Sequence, residues 1–312
     1  MTTENIFIVG CNRTGTSLLR RILNRSPHIC IARETHFLRR FSGVGLERRL
    51  KRFGDLSDDG NTERLVDFMF SGRSAGGSAY WQWLRQHVDR RDFARRLLDT
   101  DRGERAIFRL LMQVYAEQHK GGDPNRLILG EKTPSHYCYV PTLLEWFPNA
   151  KIIHTFRDPR AILMSTVKKV HKKNRGSLRT KASFLPGGLL DPLVGPVELL
   201  HITQAWFDAA RRHTRYARLY PRNYFLLRFE DLIGEPDKVL RAVCDFIDVP
   251  FDASLLDEVT VLNSSYQDGP QGSAGFDRQA LERWRRHIHP FAQAWFSIVG
   301  RRQLKQFGYP VA

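Results

Sequence analysis

The chain has 312 residues, of which 42% are hydrophobic, and this composition excludes an intrinsically disordered protein and predicts a packed globular one. It carries 49 Lys and Arg against 33 Asp and Glu, a formal net charge of +16. Such an excess indicates an anionic partner, whether nucleotide, polyanion, nucleic acid or acidic membrane, although a basic protein without such a partner has the same composition.

The cysteines and the N-terminal residues indicate in which cellular compartment the protein is expected. The four cysteines form no CxxC pair, so the sequence predicts neither a zinc site nor a disulfide framework, and reduced thiols are expected. The residues before Ile6 are too few for a secretory signal and lack its cationic region. No run approaches the roughly 18 apolar residues of a membrane span. We therefore expect a cytoplasmic protein without a membrane-spanning helix.

The first predicted elements are a strand, a loop and a helix. Ile6–Val9 is wholly apolar, as in a strand buried on both faces of a parallel sheet. A helix is predicted from Thr16 to Asn24 and a second strand over His28–Ala32. From about Thr35 to Tyr115 the pattern is mostly helical and rich in arginine.

Strands and helices alternate through the remainder of the chain. Further strands are predicted at Arg126–Gly130, Lys151–Phe156 and Asn223–Phe229, and helices at 159–172, 198–219, 236–247, 279–288 and 291–306. This alternation predicts an α/β fold, a parallel β-sheet flanked by helices. The segment 173–197 has no clear period, and we interpret it as a mobile lid. Because the motifs come from both ends and the middle, a single domain over 1–312 is the simplest prediction.

The loop between the first strand and helix has the features of a phosphate-binding loop. It reads Gly10-Cys11-Asn12-Arg13-Thr14-Gly15-Thr16-Ser17. Glycines let the backbone curl around an anion, and a helix N-terminus favours negative charge. The spacing is that of GxxxxGK[ST], but Thr16 stands in place of the lysine. A cation must therefore come from elsewhere, and Arg13 is the nearest. An ordinary glycine turn fits the flanking strand and helix less well.

A second candidate anion site follows the strand at 151–156. Arg157 lies at the carboxyl end of this strand, where open α/β sheets bind ligands, and Pro159 opens the next helix. Ser165 and Lys169 follow on that helix. Alone, this segment is better explained as an Arg–Asp pair at a helix start. Beside the first loop it favours a nucleotide that carries phosphate at two places.

Together these segments resemble the superfamily of sulfotransferases that use 3′-phosphoadenosine 5′-phosphosulfate (PAPS). They are closest to tyrosylprotein sulfotransferases and related bacterial enzymes. The family loop usually reads Pro-Arg-Ser-Gly-Thr-Thr where this chain has residues 12–17, and its 3′-phosphate element has the Arg and Ser spacing of Arg157 and Ser165. The resemblance implies a P-loop nucleotide-kinase-like sulfotransferase fold and PAPS as co-substrate.

The resemblance also implies roles for individual residues. Glu34 follows Arg13 by 21 residues, the family spacing of the catalytic base. Lys132, in a segment similar to the lysine-bearing strand end of the family, and secondarily Arg13 would stabilise the bridging oxygen, and Ser264 would contact the sulfonate. The implied cofactor-binding residues are Asn12, Arg13, Thr14, Gly15, Thr16, Ser17, Arg157, Ser165, Lys169, Ser264, Ser265 and Arg283.

Two departures and one weak region limit the resemblance. Asn12 replaces the usual proline, and Phe229 stands where tyrosylprotein enzymes have a tyrosine that touches the cofactor. The similarity is weakest over 173–197 and over 40–125, which we interpret as a helical substrate-side insertion. His36, Arg39 and Arg40 are candidates for the acceptor side, and a structural histidine and a solvated arginine face are equally good explanations for them.

The expected reaction is in-line transfer of a sulfuryl group to an acceptor hydroxyl on a peptide tyrosine, a glycan, a phenol or another small molecule. An acidic acceptor would suit the arginines, and a solvated helix face explains them equally well. A sulfuryl group carries less charge than a phosphoryl group, so fixed cations suffice and no metal is expected. The alternatives are a P-loop-like nucleotide kinase or NTPase and a polyanion-binding protein. No RRM, zinc-finger or KH signature is present, so nucleic acid is not expected as a partner. An oligomer remains open.

Overall fold

The structure is a computed structural model, and it describes residues 3–38, 50–71, 81–174, 191–257, 260–261, 273–274 and 276–311. Four of the predicted site residues, Arg39, Arg40, Ser264 and Ser265, lie outside the described residues, as does 175–190 of the predicted lid.

The central element within these described ranges is a five-stranded sheet with the strand order β2-β3-β1-β4-β5. Its strands are β1 (Asn5–Gly10), β2 (Ile29–Ala32), β3 (Ile128–Lys132), β4 (Lys151–Phe156) and β5 (Tyr224–Arg228). β3 pairs in parallel with both β1 and β2. Every residue of β1 and β2 is buried, as expected for strands covered on both faces. The predicted parallel α/β sheet is confirmed.

Helices connect the strands along the chain. They are α1 (Thr16–Leu23), α2 (Asp59–Phe70), α3 (Gln82–His87), α4 (Arg90–Leu98), α5 (Glu104–Lys120), α6 (Val140–Trp146), α7 (Pro159–Asn174), α8 (Asp191–Leu219), α9 (Phe229–Gly234), α10 (Pro236–Phe246), α11 (Pro290–Val299) and α12 (Arg301–Gln306). Short 3₁₀ turns occupy Pro124–Arg126, Pro134–Tyr139, Ala253–Leu256, Arg278–Leu281 and Arg283–Arg286, and a two-residue antiparallel pair joins Thr260–Val261 to Ser273–Ala274. No helix in the described ranges is both long and apolar enough to cross a bilayer.

Three predicted elements differ from the structure. Both ends of the predicted lid are helical, because α7 continues to Asn174 and α8 begins at Asp191, with Pro196 inside it. The predicted helix 279–288 is wrong, because the structure has two 3₁₀ turns in its place. Trp284 is the one buried side chain of these turns, so the segment lacks the apolar face that stabilises an α-helix. The predicted helix 291–306 is divided at Gly300.

The described chain divides into two compact units, which comprise residues 1–9 with 19–153 and residues 10–18 with 154–312. Aromatic rings fill the core of the first unit. Phe108 stacks on Phe7 and Phe37 with ring centroids 5.9 Å and 5.2 Å apart, and Phe147 contacts Phe7 at 5.5 Å. Such rings bury large apolar areas, so they account for much of the stability of this unit.

The second unit packs Phe156, at the end of β4, against Trp206 and Phe307, with centroids 5.4 Å and 4.2 Å away. Beside this cluster lies a buried ion pair. Arg160 is fully buried and donates from Nε to Asp158 Oδ1 at 2.9 Å and from Nη2 to Asp158 Oδ2 at 2.7 Å. Its Nη2 also donates to Pro310 O at 2.7 Å, which ties the C-terminal segment to the start of α7.

Replacing Asp158 with alanine should destabilise the protein strongly, because Arg160 would keep a buried charge without its carboxylate. We expect a loss of about 3–5 kcal/mol in the free energy of unfolding, measured by urea denaturation. The control is Asp237→Ala, which removes an exposed partner of Arg241 on α10. That variant should leave the urea midpoint unchanged, and equal midpoints for the two variants would contradict the prediction.

Candidate active site

The predicted phosphate loop lies in the second unit, and two of its glycines are required by its backbone. Gly10 and Gly15 have φ angles of 149° and 89°, which side-chain-bearing residues rarely adopt. A Cβ on Gly10 would lie 2.3 Å from Thr155 O, and one on Gly15 would lie 2.6 Å from Phe229 Cδ2. The loop therefore curls tightly against the end of β4 and the start of α9, and its shape depends on glycine at both positions.

Side chains of the loop divide into a buried and an accessible set. Thr14 and Thr16 are buried. Thr14 Oγ1 donates a hydrogen bond to Cys11 O and is also hydrogen-bonded to Thr155 Oγ1, each at 2.7 Å. Asn12 and Ser17 are exposed. The threonine hydroxyl of residue 14 thus holds the loop together, while residues 12 and 17 are accessible to a ligand.

Arg13 and the second predicted anion site are brought together by direct hydrogen bonds. Arg13 Nε donates to Ser165 Oγ at 2.8 Å, and Arg157 Nη1 donates to Arg13 O at 3.1 Å. Arg13 has a positive φ of 70°, which is uncommon for a residue with a side chain. Three predicted residues from two distant segments therefore form one cationic cluster with the loop.

Aromatic side chains fix the position of Arg157. Its guanidinium carbon lies 4.1 Å from the ring centroid of Phe229, a cation–π contact. Trp206 Nε1 donates to Arg157 O at 3.1 Å. The sequence marked Phe229 only as a missing hydroxyl, whereas here the ring packs against both Gly15 and Arg157. That role depends on tertiary contacts and has no local sequence signal.

The other predicted cations of this unit are placed differently. Lys169 is exposed on α7, one turn beyond Ser165. Arg283 lies in a 3₁₀ turn and pairs with Asp277, so part of its charge is already compensated within the protein. The predicted role of Arg283 at the 3′-phosphate stays a prediction.

The predicted base and its partners lie in the first unit. Lys132 ends β3, where it is in register with Ile8 of β1, and its ammonium pairs closely with Glu34 Oε1. Glu34 Oε2 lies 3.0 Å from His36 Nε2. The Lys132 side chain is 5% exposed and that of Glu34 is 36% exposed, so the carboxylate is reachable while the ammonium is sheltered behind it.

The electrostatics of this group keep Glu34 ionised. Burial opposes ionisation, but the hydrogen bond from His36 and the charge of Lys132 outweigh it and lower the pKa of Glu34 to about 2. Burial lowers the pKa of Lys132, and the charge of Glu34 opposes that shift. The pair therefore consists of a carboxylate and an ammonium at neutral pH, which is a proton acceptor beside a cation.

Glu131 supports the candidate site, and the sequence predicted no role for it. It is 1% exposed and accepts hydrogen bonds from Thr35 N at 2.9 Å, Thr35 Oγ1 at 3.0 Å and Thr133 Oγ1. His136 Nδ1 lies 3.1 Å from its other oxygen. Burial opposes its ionisation, but His136 and these hydrogen bonds outweigh that effect and lower the pKa of Glu131. Glu131 thus holds the residues that flank Glu34 and Lys132. The available signal in the sequence was a carboxylate beside Lys132 at the end of an apolar run.

Comparison with known proteins identifies the family. The profile described as the sulfotransferase family matches residues 5–253, most of the chain. This chain belongs to the sulfotransferase family.

Curated relatives match parts of this sulfotransferase. An omega-hydroxy-beta-dihydromenaquinone-9 sulfotransferase of Mycobacterium tuberculosis is 33% identical over 139 residues, 44% of this chain and 31% of that protein. Carbohydrate sulfotransferase 2 of Mus musculus is 27% identical over 188 residues, 54% of this chain and 34% of that protein. The matched segments thus span about a third of each relative's length.

Solved structures support the sulfotransferase fold. The sulfotransferase domain from the Synechococcus PCC 7002 olefin synthase is similar with a TM-score of 0.56 at 19% identity, over 99% of this chain and 97% of that one. The sulfotransferase domain from the curacin biosynthetic pathway has a TM-score of 0.56 at 20% identity, over 99% of both chains. The predicted fold class and superfamily are confirmed.

Lys132→Ala should raise the pKa of Glu34 from about 2, because burial still opposes ionisation while the neighbouring charge is gone. The measurement is a pH titration of the ¹³C-labelled glutamate carboxyl by NMR, with Glu34 assigned by mutation. The control is Lys120→Ala, since Lys120 Nζ donates to the backbone carbonyls Asn24 O and Ser26 O. A Glu34 pKa that is the same in both variants would contradict the assigned cause.

Proposed function

We propose that this sulfotransferase transfers a sulfuryl group from PAPS to an acceptor hydroxyl by in-line displacement, with Glu34 as general base. The observation that carries the proposal is the group of Glu34, Lys132 and His36, in which a reachable carboxylate is kept ionised beside a sheltered ammonium. A carboxylate can accept the hydroxyl proton, and an ammonium can stabilise developing negative charge.

The residues of the second unit suit a nucleotide with two anionic groups. The curled loop 10–17 opens α1, so its backbone amides and the helix N-terminus favour a phosphosulfate. Arg13, Arg157 and Ser165 are joined by hydrogen bonds and supply cationic and hydroxyl donors for phosphate oxygens. Asn12 and Ser17 are accessible for further contacts. PAPS would contribute the transferable sulfuryl group and an adenosine 3′,5′-bisphosphate leaving group. We also propose that no metal takes part.

The chain's own residues define the proton and charge steps. The acceptor oxygen forms a bond to sulfur while the bond from sulfur to the bridging phosphate oxygen breaks, and the hydroxyl proton passes to Glu34. Lys132 stabilises the negative charge left on the departing oxygen.

The acceptor is proposed only as a class. A carboxylate base can activate a hydroxyl group by accepting its proton. We propose that His36, which lies beside Glu34, contacts the same acceptor hydroxyl. The names of two relatives specify a hydroxylated menaquinone and a carbohydrate. We propose that this chain uses a lipid, glycan, phenol or peptide hydroxyl in the same way, with an acidic acceptor favoured by the arginines near residue 39. A cytoplasmic location stays a prediction.

Glu34→Gln should lower sulfuryl transfer by about 10²–10⁴-fold, because an amide cannot accept the hydroxyl proton. The measurement is the transfer of label from ³⁵S-PAPS to a panel of phenols, peptides, glycans and lipids. Binding of adenosine 3′,5′-bisphosphate, measured by calorimetry, should persist.

The control is Glu235→Gln, an exposed glutamate at the start of α10 that pairs with Lys238. It should transfer as the parent does. Undiminished transfer by Glu34→Gln would remove Glu34 as the base, whereas no transfer by the parent to any acceptor, together with no binding of the bisphosphate, would count against the function itself.

Adenosine 3′,5′-bisphosphate should stabilise the parent protein against heat more than ATP with magnesium does, and Ser165→Ala should reduce that stabilisation. Bound ligand stabilises by RT ln(1 + [L]/Kd), so a lost donor appears as a smaller shift of the melting temperature at equal ligand. The measurement is differential scanning fluorimetry, with Ser254→Ala in a distant 3₁₀ turn as the control. A larger shift with ATP and magnesium would favour a nucleotide kinase or NTPase.

A further inference from the structure

One face of α8 changes from apolar to cationic along its length. Val197 and Leu200, near its N-terminal end, are 64% and 58% exposed. Arg211, Arg215 and Arg218 are exposed near its C-terminal end. Successive members of this set are 3, 11, 4 and 3 residues apart in the chain, and at 100° per residue these spacings place all five on one side of the helix. The helix therefore presents a continuous outward stripe with two chemically different halves.

The last two helices contact α8 and carry the same two kinds of exposed side chain, apolar on α11 and cationic on α12. Trp295 Nε1 of α11 donates to Thr203 Oγ1 at 3.1 Å, and Gln306 Nε2 of α12 donates to Thr214 Oγ1 at 3.0 Å, both across 92 residues of chain. Both of the last two helices are therefore tied to α8 by a side-chain hydrogen bond. Phe291 and Ile298 of α11 are 61% and 76% exposed.

The cationic halves meet in a groove between α8 and α12. Its volume is about 610 Å³, and its lining includes Phe207, Arg211, Thr214, Arg215, Arg218 and Arg302. Asp208 pairs with Arg211 at 2.5 Å. Among the residues that the structure describes, no carboxylate lies within ion-pair distance of Arg215, Arg218 or Arg302. Exposed Arg301 and Lys305 add to the same charge on α12.

We propose that this face of α8, α11 and α12 docks on an anionic lipid bilayer. Large side chains that are mostly exposed beside one another mark an interaction surface, and their insertion at the acyl boundary would remove them from water. Uncompensated arginines next to them would contact lipid phosphates.

The bilayer fits both halves of the face, and other partners fit only one. A soluble acidic polymer satisfies the arginines of the groove but leaves Phe291, Ile298, Val197 and Leu200 in water. An apolar protein surface covers those side chains but leaves the arginines without anions. A negatively charged membrane presents apolar chains and phosphates within one interface, in the arrangement that a peripheral helix pair recognises.

The test is co-sedimentation of the full chain with phosphatidylcholine vesicles that contain or lack phosphatidylglycerol. The parent should bind the anionic vesicles, and the triple variant Arg215→Gln, Arg218→Gln and Arg302→Gln should bind them about a hundredfold more weakly. The control is Arg91→Gln, Arg105→Gln and Arg109→Gln, which removes the same charge from exposed positions on α4 and α5. It should bind as the parent does.

A second variant tests the apolar half separately. Phe291→Ser with Ile298→Ser replaces exposed side chains, so the fold should persist, and vesicle binding should fall by about tenfold or more. The proposal is overturned if the parent does not bind anionic vesicles, if the arginine variant binds as well as the parent, or if the control loses as much. It is also overturned if the serine variant binds unchanged while heparin competes fully, because the ligand is then a soluble polyanion.

Discussion

The buried ammonium of Lys132 is the constraint on which the candidate base depends. A charge that is 5% exposed costs several kcal/mol unless a counter-charge lies beside it, and Glu34 supplies that counter-charge. The pairing in turn fixes the irregular segment that carries Glu34, because the carboxylate must stay at the end of β3. The proposed chemistry and local stability would therefore depend on one contact in this unit, because the interaction that keeps the carboxylate ionised also holds it in place.

A second buried charged residue supports the pair of Glu34 and Lys132. Glu131 precedes Lys132 on the same strand, points to the other side of the sheet by the alternation of strand residues, and binds Thr35 next to Glu34. The arrangement recurs in the second unit, where Arg160 is fully buried against Asp158 while Arg157 contacts the phosphate loop. Two arginines three residues apart thus have different functions because only one is removed from solvent.

The parts of the molecule that depend on local sequence were predictable. Apolar β-type runs located the strands, and the glycine spacing located the loop between β1 and α1. The resemblance implied roles for Glu34 and Lys132 separately, but their pairing spans 98 residues and was not predicted, since spacing carries no information about such a contact. Phe229 and Glu131 gained their roles from tertiary packing. Pro196 and the glycines and lysines before it concealed the start of α8, which a helical period would otherwise have revealed.

Net charge alone could not have shown where the cations act. The arginines and the lysine assigned to catalysis and nucleotide binding are mostly half-buried and hydrogen-bonded within the protein, so their charge is partly compensated at short range. The groove arginines of α8 and α12 are exposed, and a field from such charges reaches farther into solvent than one from paired, buried groups. The excess of +16 is therefore better evidence for an anionic surface partner than for the donor nucleotide, and the exposed apolar residues beside that groove make a membrane the partner that uses both features.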